Sequence, residues 1–375
     1  MPPKKRSTPV TSSRDRCRRV ETIRHIMQDY LWSWQPLEPF GYSRLSFHSE
    51  PRPPKLSMNL TAPLLFEPLP MERVWGGRHF ETLLGKTLPH GAVIGELWEI
   101  VDRPEAQSVV HEGPLKGATL HDLWSKHRTS LFGERHATNP SFRFPLLIKL
   151  LDARERLSVQ VHPPAHLAKE LKGEPKTECW YFLHAAEGAS VYAGLRKGVT
   201  RTDFEASLTD GTVEEKLHRA TARAGESILI PSGRLHAIGE GLVIVEVQQN
   251  SDTTYRVFDW NRKGLDGKPR QLHVPESMAS IDFEDYEPNI TPASEPIVAD
   301  CPHFHVEKKH LAGPTLATEP GDFAIITCLT GGVECEGVTM NPGSFLLVPA
   351  CIQGALLNPS APGTSILSTR LPSSE

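Results

Sequence analysis

Between Ser158 and Trp260 the chain consists of short strand-forming runs separated by Gly and Pro, and this punctuation limits the fold more than any other feature. The runs read LSVQVHP, KTECWY, GESILIPSGRLHAIGEG and VIVEVQQNSDTTYRVFDW. Successive side chains of a strand point to opposite faces. Ser158, Gln160 and His162 therefore share one face of the first run, and Leu157, Val159 and Val161 share the other. Pro163 and Pro164 end it. A polar strand face normally meets water, but one that offers a Gln and a His two residues apart can present ligands into a pocket. LVIVEVQQN repeats the device: Ile244, Glu246, Gln248 and Asn250 lie on one face and the valines on the other.

The third run is the most specific. Gly225 is followed by five residues, Pro231, one residue, Gly233, two residues and His236. It resembles the second signature of the cupin superfamily, with Glu240 where an Asn is usual. The first cupin signature usually has two His flanking one residue and a Glu a few positions later. Here Gln160-Val161-His162 replaces the His pair, and Glu178 follows His162 by sixteen residues. The Gln-x-His-Pro strand, Lys-Thr-Glu-Cys-Trp-Tyr and Ser-Asp-Thr-Thr-Tyr-Arg together resemble type I mannose-6-phosphate isomerases of the short bacterial form. The likeness runs from about Pro63 to Thr369 and is densest from Phe144 to Arg262. It implies a mainly β fold of two cupin-like (jelly-roll) β-barrels with short helical insertions. Residues 58–270 would form a catalytic cupin domain and 271–375 a second, metal-free cupin-like domain.

The second half contains a decoy. His303-Phe304-His305 with Glu307 looks like a metal cluster, yet Gly354 stands five residues after Pro349, where His236 stands five after Pro231. We expect a barrel without a metal site and take His303 and His305 as ordinary strand histidines.

Several connections read as helical. Thr119 is placed to cap HDLWSKHRTSLFG, whose Leu120, Leu123, Trp124 and Leu131 line one face, with Gly133 closing it. AHLAKELKG forms an inserted turn between His162 and Glu178. Thr202-x-x-Glu205 and Thr212-x-x-Glu215 read as capping boxes, with Lys216, His218 and Arg219 toward a helix C-terminus. Lys149, inside the apolar run FPLLIKLLDA, is either a strand-end residue reaching water or a functional cation, and the first is favoured.

Charge excludes some partners. Residues 1–57 carry eleven Lys/Arg against five Asp/Glu, a net +6, which leaves −10 for residues 58–375. The acidic body argues against nucleic acid, and no apolar run is long enough for a membrane span. Residues 1–57 read as a disordered basic extension, with Met58 as the expected biological start. The six cysteines form no Cys-x-x-Cys pair, so reduced thiols in a cytoplasm are expected. A monomer is the expected state.

The resemblance implies Gln160, His162, Glu178 and His236 as metal ligands, and this donor set suits zinc with a position open to substrate. It implies a sugar-phosphate substrate and interconversion of mannose 6-phosphate and fructose 6-phosphate through a cis-enediolate. Arg256, ten residues after Glu246, would stabilise the enediolate oxygens. Glu246 or a water on the metal would shuttle the proton. Lys176, and Lys149 if functional, would meet the phosphate or polarise an oxygen. The rivals are an iron-dependent cupin oxygenase with a facial triad and a non-catalytic sugar-binding cupin.

Overall fold

The computed structural model describes residues 60–372, so the basic extension and the expected start at Met58 lie outside the described residues. Eleven strands occupy the first part: β1 (Leu69–Gly77), β2 (Ile94–Ile100), β3 (Leu146–Ala153), β4 (Val159–Val161), β5 (Glu178–Ala185), β6 (Ser190–Leu195), β7 (Leu217–Thr221), β8 (Ser227–Ile230), β9 (His236–Ile238), β10 (Leu242–Gln249) and β11 (Tyr255–Phe258). Nine follow: β12 (Ile297–Asp300), β13 (His305–His310), β14 (Thr315–Leu316), β15 (Ala324–Thr330), β16 (Val333–Cys335), β17 (Val338–Met340), β18 (Phe345–Val348), β19 (Leu356–Pro359) and β20 (Ser365–Arg370). The helices are short and lie in the connections: α1 (His79–Leu84), α2 (Leu120–Phe132), α3 (Ala165–Ala168), α4 (Arg201–Asp210), α5 (Val213–Lys216) and α6 (Val274–Ser280).

The strands build four antiparallel sheets, ordered β1-β2-β3-β10-β5-β8, β11-β4-β9-β6-β7, β12-β13-β20-β15-β18 and β14-β19-β16-β17. Adding ten to each label turns β3-β10-β5-β8 into β13-β20-β15-β18, and β4-β9-β6-β7 into β14-β19-β16-β17. The two halves therefore share one double-sheet topology, the jelly-roll arrangement expected of cupins. Gly225 and Gly343, with φ of 88° and 80°, turn the chain into β8 and β18 in a conformation that only Gly adopts without strain.

Each sheet pair encloses its own apolar layer. In the first, Trp75, Leu151, Trp180, Phe182, Val191, Ile238 and Ile244 pack together. In the second, Ile326, Cys328, Met340, Leu346 and Ile366 do so. The outward faces of the two larger sheets, including Ile148, Val245, Ile325 and Leu367, belong to a third cluster shared by both halves. That explains why β3 and β10 are almost continuously apolar: they are buried on both sides. Phe132, Phe144 and Phe323 meet in this layer at centroid distances of 5.1 to 6.0 Å.

The α2 expectation holds: Thr119 accepts the Asp122 N–H, and Leu120, Leu123, Trp124 and Leu131 are buried. The two expected capping boxes need correction. The box of α4 is Thr200 with Asp203, two residues earlier, and Thr212 makes no side-chain cap for α5. Lys216 ends α5, but His218 and Arg219 belong to β7.

Candidate metal centre and active site

Three strands of one sandwich bring the predicted ligands together. Gln160 lies in β4 with His162 just past its end; Glu178 opens β5 and His236 opens β9. Gln160 pairs with His236 in the ladder between β4 and β9. His162, Glu178 and His236 are fully buried, and their donor atoms lie within 4.8 Å of one another. His162 Nε2 is 3.4 Å from one Glu178 oxygen, and His236 Nε2 is 3.5 Å from the other. Each ring is oriented from behind: His162 Nδ1 donates to the Thr253 carbonyl and His236 Nδ1 to the Arg234 carbonyl, both at 2.8 Å. This fixes the tautomer and leaves Nε2 free to ligate.

The remaining atoms have the chemistry of a metal-ligand set. His162 Nε2 and both Glu178 oxygens are buried without a hydrogen bond. Lys176 Nζ comes within 2.7 Å of Glu178, an ion-pair contact outside hydrogen-bond alignment. Such orphaned groups cost several kcal/mol in an apolar interior unless something pairs with them. Burial pushes His236 down to about 3, with the neighbouring His162 adding to the shift. His162 is lowered by burial and by Lys176. Burial alone would raise Glu178, but Lys176 and the imidazoles outweigh it and hold the carboxyl well below its usual range. Neutral imidazoles and an ionised carboxylate are the states a divalent metal requires. Gln160 presents its amide nitrogen to His236 Nε2 at 3.2 Å. It fits as a fourth ligand through its oxygen, with the amide turned over.

Next to this set, and joined to it through Gln160 and Lys176, lies a cavity of about 350 Å³ that Glu246 and Arg256 also line. Arg256 lies in β11 opposite Gln160. Its guanidinium donates to the Gln271 carbonyl at 3.0 Å, its Nε is buried without a partner, and among the described residues no carboxylate lies within ion-pair distance. Burial, reinforced by Arg270, lowers it to about 10, so it is still a cation at neutral pH.

Lys149 requires a correction. It sits in the middle of β3 at 4% exposure, far from a strand end, with Nζ 2.8 Å from Glu246 and 3.7 Å from Glu96. Burial would discharge it, but the two carboxylates outweigh that and raise its pKa. A chain of buried groups results. The Trp98 indole N–H donates to Glu96 at 2.6 Å, Lys149 joins Glu96 to Glu246, and the Trp180 indole N–H donates to Glu246 at 2.9 Å. Glu246 is raised by burial and by Glu178, with Lys149 opposing.

Sequence reasoning missed Arg73, Glu96, Asp252, Arg270 and His273, which line the same cavity. Glu96 lies in β2 and reaches the site only through the pairing of that strand with β3, where it stands opposite Leu151. Arg270 and His273 come from the loop after β11. There Asp259 binds both Arg262 and Arg270, and the His273 N–H donates to the Arg256 carbonyl at 2.7 Å. His305 opens β13 and pairs with Asp300 at 3.3 Å, whereas His303 lies in the bend before that strand and not in it as expected; among the described residues His162, Glu178 and His236 group as metal donors.

Residues 66–178 match the family described as phosphomannose isomerase type I, catalytic domain. Over 302 residues the chain is 37% identical to mannose-6-phosphate isomerase ManA of Bacillus subtilis, covering 77% of this chain and 93% of that protein. The chain belongs to the type I phosphomannose isomerases. A mannose-6-phosphate isomerase of Streptococcus mutans is 34% identical over 306 residues, 78% of this chain and 94% of its own. Among solved structures, the mannose 6-phosphate isomerase from Bacillus subtilis matches with a TM-score of 0.73 at 30% identity, covering 82% of this chain and 99% of that one. The apo enzyme from Salmonella typhimurium shares the fold, with a TM-score of 0.61 at 18% identity over 82% of this chain and 99% of its own. As a type I phosphomannose isomerase the chain is an aldose–ketose isomerase, which sets aside the oxygenase and the non-catalytic cupin.

Proposed function

We propose that this isomerase interconverts mannose 6-phosphate and fructose 6-phosphate, with zinc held by His162, Glu178, His236 and the amide oxygen of Gln160. The observation that carries this is a buried His–Glu–His set with orphaned donor atoms, next to a cavity lined by Gln160, Lys176 and Arg256, whose guanidinium has no carboxylate within ion-pair distance among the described residues. The substrate is supported by the relatives named for it. When bound, the metal supplies Lewis-acid polarisation of the sugar oxygens.

The chain's own groups account for the rest. The proton must move between C1 and C2 while negative charge develops on the two enediolate oxygens. Arg256, without a carboxylate partner of its own, is a fixed cation for that charge. Glu246 carries the proton, because a raised pKa makes a carboxylate a stronger base than one in water. Lys149 beside it favours the ionised form needed to accept the proton. Lys176, committed to Glu178, sits where it can polarise an oxygen near the ligand set. The sugar's phosphate would face Arg270, which lines the same cavity. Five free cysteines among the described residues support a reducing, cytoplasmic setting, and we take the working unit to be a monomer.

Arg256→Ala tests the assignment. Turnover should fall by about 10²–10³-fold, the scale for losing one charge-stabilising donor, while bound zinc is unchanged. Undiminished turnover would remove Arg256 from the mechanism.

A further inference from the structure

We infer that Trp180 is a positioning residue for the reaction: its indole N–H holds one oxygen of Glu246 and so fixes which oxygen faces the sugar. This role presupposes Glu246 as the proton carrier proposed above.

The strand registers create the arrangement. Lys149 on β3 and Trp180 on β5 both stand directly opposite Glu246 on β10. Glu246 is thus held from both neighbouring strands. Trp180 Nε1 donates to Oε1 at 2.9 Å, and Lys149 Nζ lies 2.8 Å from Oε2. Both partners are buried, Trp180 completely and Glu246 at 2% exposure, so no solvent competes for either oxygen. The same indole stands edge-on to His236, with centroids 5.5 Å apart and planes at 72°. One rigid side chain therefore touches the proton carrier and a candidate metal ligand, and sets the spacing between them.

A buried indole needs some acceptor, and backbone carbonyls serve elsewhere in this protein. Trp124 donates to the Ser141 carbonyl and Trp260 to the Leu157 carbonyl. Trp98 and Trp180 instead donate to Glu96 and Glu246, two of the three carboxylates that line the cavity. An indole suits this task chemically. It is a donor only and cannot take up the proton that Glu246 must carry. A ring of the same size without the N–H would fill the space and leave Oε1 free to turn.

The test removes that hydrogen bond in two ways. Trp180→Phe is one variant; the other exchanges the indole N–H for sulfur with β-(3-benzothienyl)alanine at position 180, which keeps the shape. Both are assayed zinc-loaded, with mannose 6-phosphate as substrate, alone and combined with Glu246→Gln. Loss of the hydrogen bond should lower kcat by about 10- to 100-fold, slow exchange of the C2 proton with deuterated solvent in parallel, and leave KM within about twofold and bound zinc unchanged. In the Glu246→Gln background the same changes should alter the residual kcat by less than about twofold, because residues acting as a unit are not additive. Wild-type kcat in the sulfur variant, or equal losses in both backgrounds, would overturn the role of Trp180. If Glu246→Gln itself kept full turnover, Glu246 would not be the proton carrier, and the positioning role would fall with it. Turnover lost in Glu246→Gln but kept in both Trp180 variants would overturn the positioning role alone.

Discussion

Glu96 shows how one buried residue links the site to stability. Burial would raise its carboxyl, but Lys149 and Arg73 more than offset this and lower it from 4.5 to about 2. A carboxylate depressed in the folded state contributes stability that is complete above the unfolded value. That stability is lost as pH falls through the folded value. The window is therefore about pH 4.5 down to 2, and the contribution is on the order of 3 kcal/mol. Glu96→Gln should flatten the acid limb of the stability curve by roughly that amount, measured by denaturant unfolding across that window; an unchanged limb would contradict the pairing. The residues legible in the sequence were those carried by local patterns. Gln160 and His162 stood out through strand alternation, and His236 and Arg256 through motifs that resemble those of a known family. Glu96 and Arg73 had no such signal, since each becomes a site residue only when β1 and β2 pair beside β3. Lys149 was seen but misplaced, because sequence alone does not show that carboxylates on β2 and β10 will flank it.

At the scale of elements, the capping of α4 separates two overlapping motifs. Thr200 accepts the Asp203 N–H and Asp203 answers to the Thr200 N–H, whereas Thr202 lies exposed inside the helix. Thr200→Ala should therefore cost about 1 kcal/mol, and Thr202→Ala should stay within about 0.5 kcal/mol, both read by thermal unfolding. The reverse order would restore the misread box. Thr-x-x-Asp and Thr-x-x-Glu begin two residues apart here, and local sequence gives no reason to prefer one. The strands were easier. Alternation in LVIVEVQQN places Ile244 and Glu246 inside the sandwich and Val243, Val245 and Val247 in the layer shared by the halves. The order of strands within a sheet was not legible from pattern, because their partners are distant in sequence.

For the whole molecule, the decisive feature is that shared layer. Phe323 from the second half packs against Phe132 and Phe144 from the first, all fully buried. A single unfolding transition is expected, because neither half keeps its outer sheet face covered alone. Phe323→Ala should lower stability by about 3–5 kcal/mol and shift that one transition; calorimetry resolving two independent transitions would contradict the shared core. The topological echo of β3–β10 in β13–β20 was foreshadowed by the spacing of Pro349 and Gly354, but the packing between the halves was not, since an apolar run does not reveal what will cover it. Among the described residues the grouped His–Glu–His donors lie in the first half, and the central claim rests there. The most direct test is a coupled assay of fructose 6-phosphate formed from mannose 6-phosphate by the full chain, before chelation, after it, and after zinc is returned. We predict activity that chelation removes and zinc restores. Activity that persists after complete removal of metal, or none with zinc bound, would contradict the account.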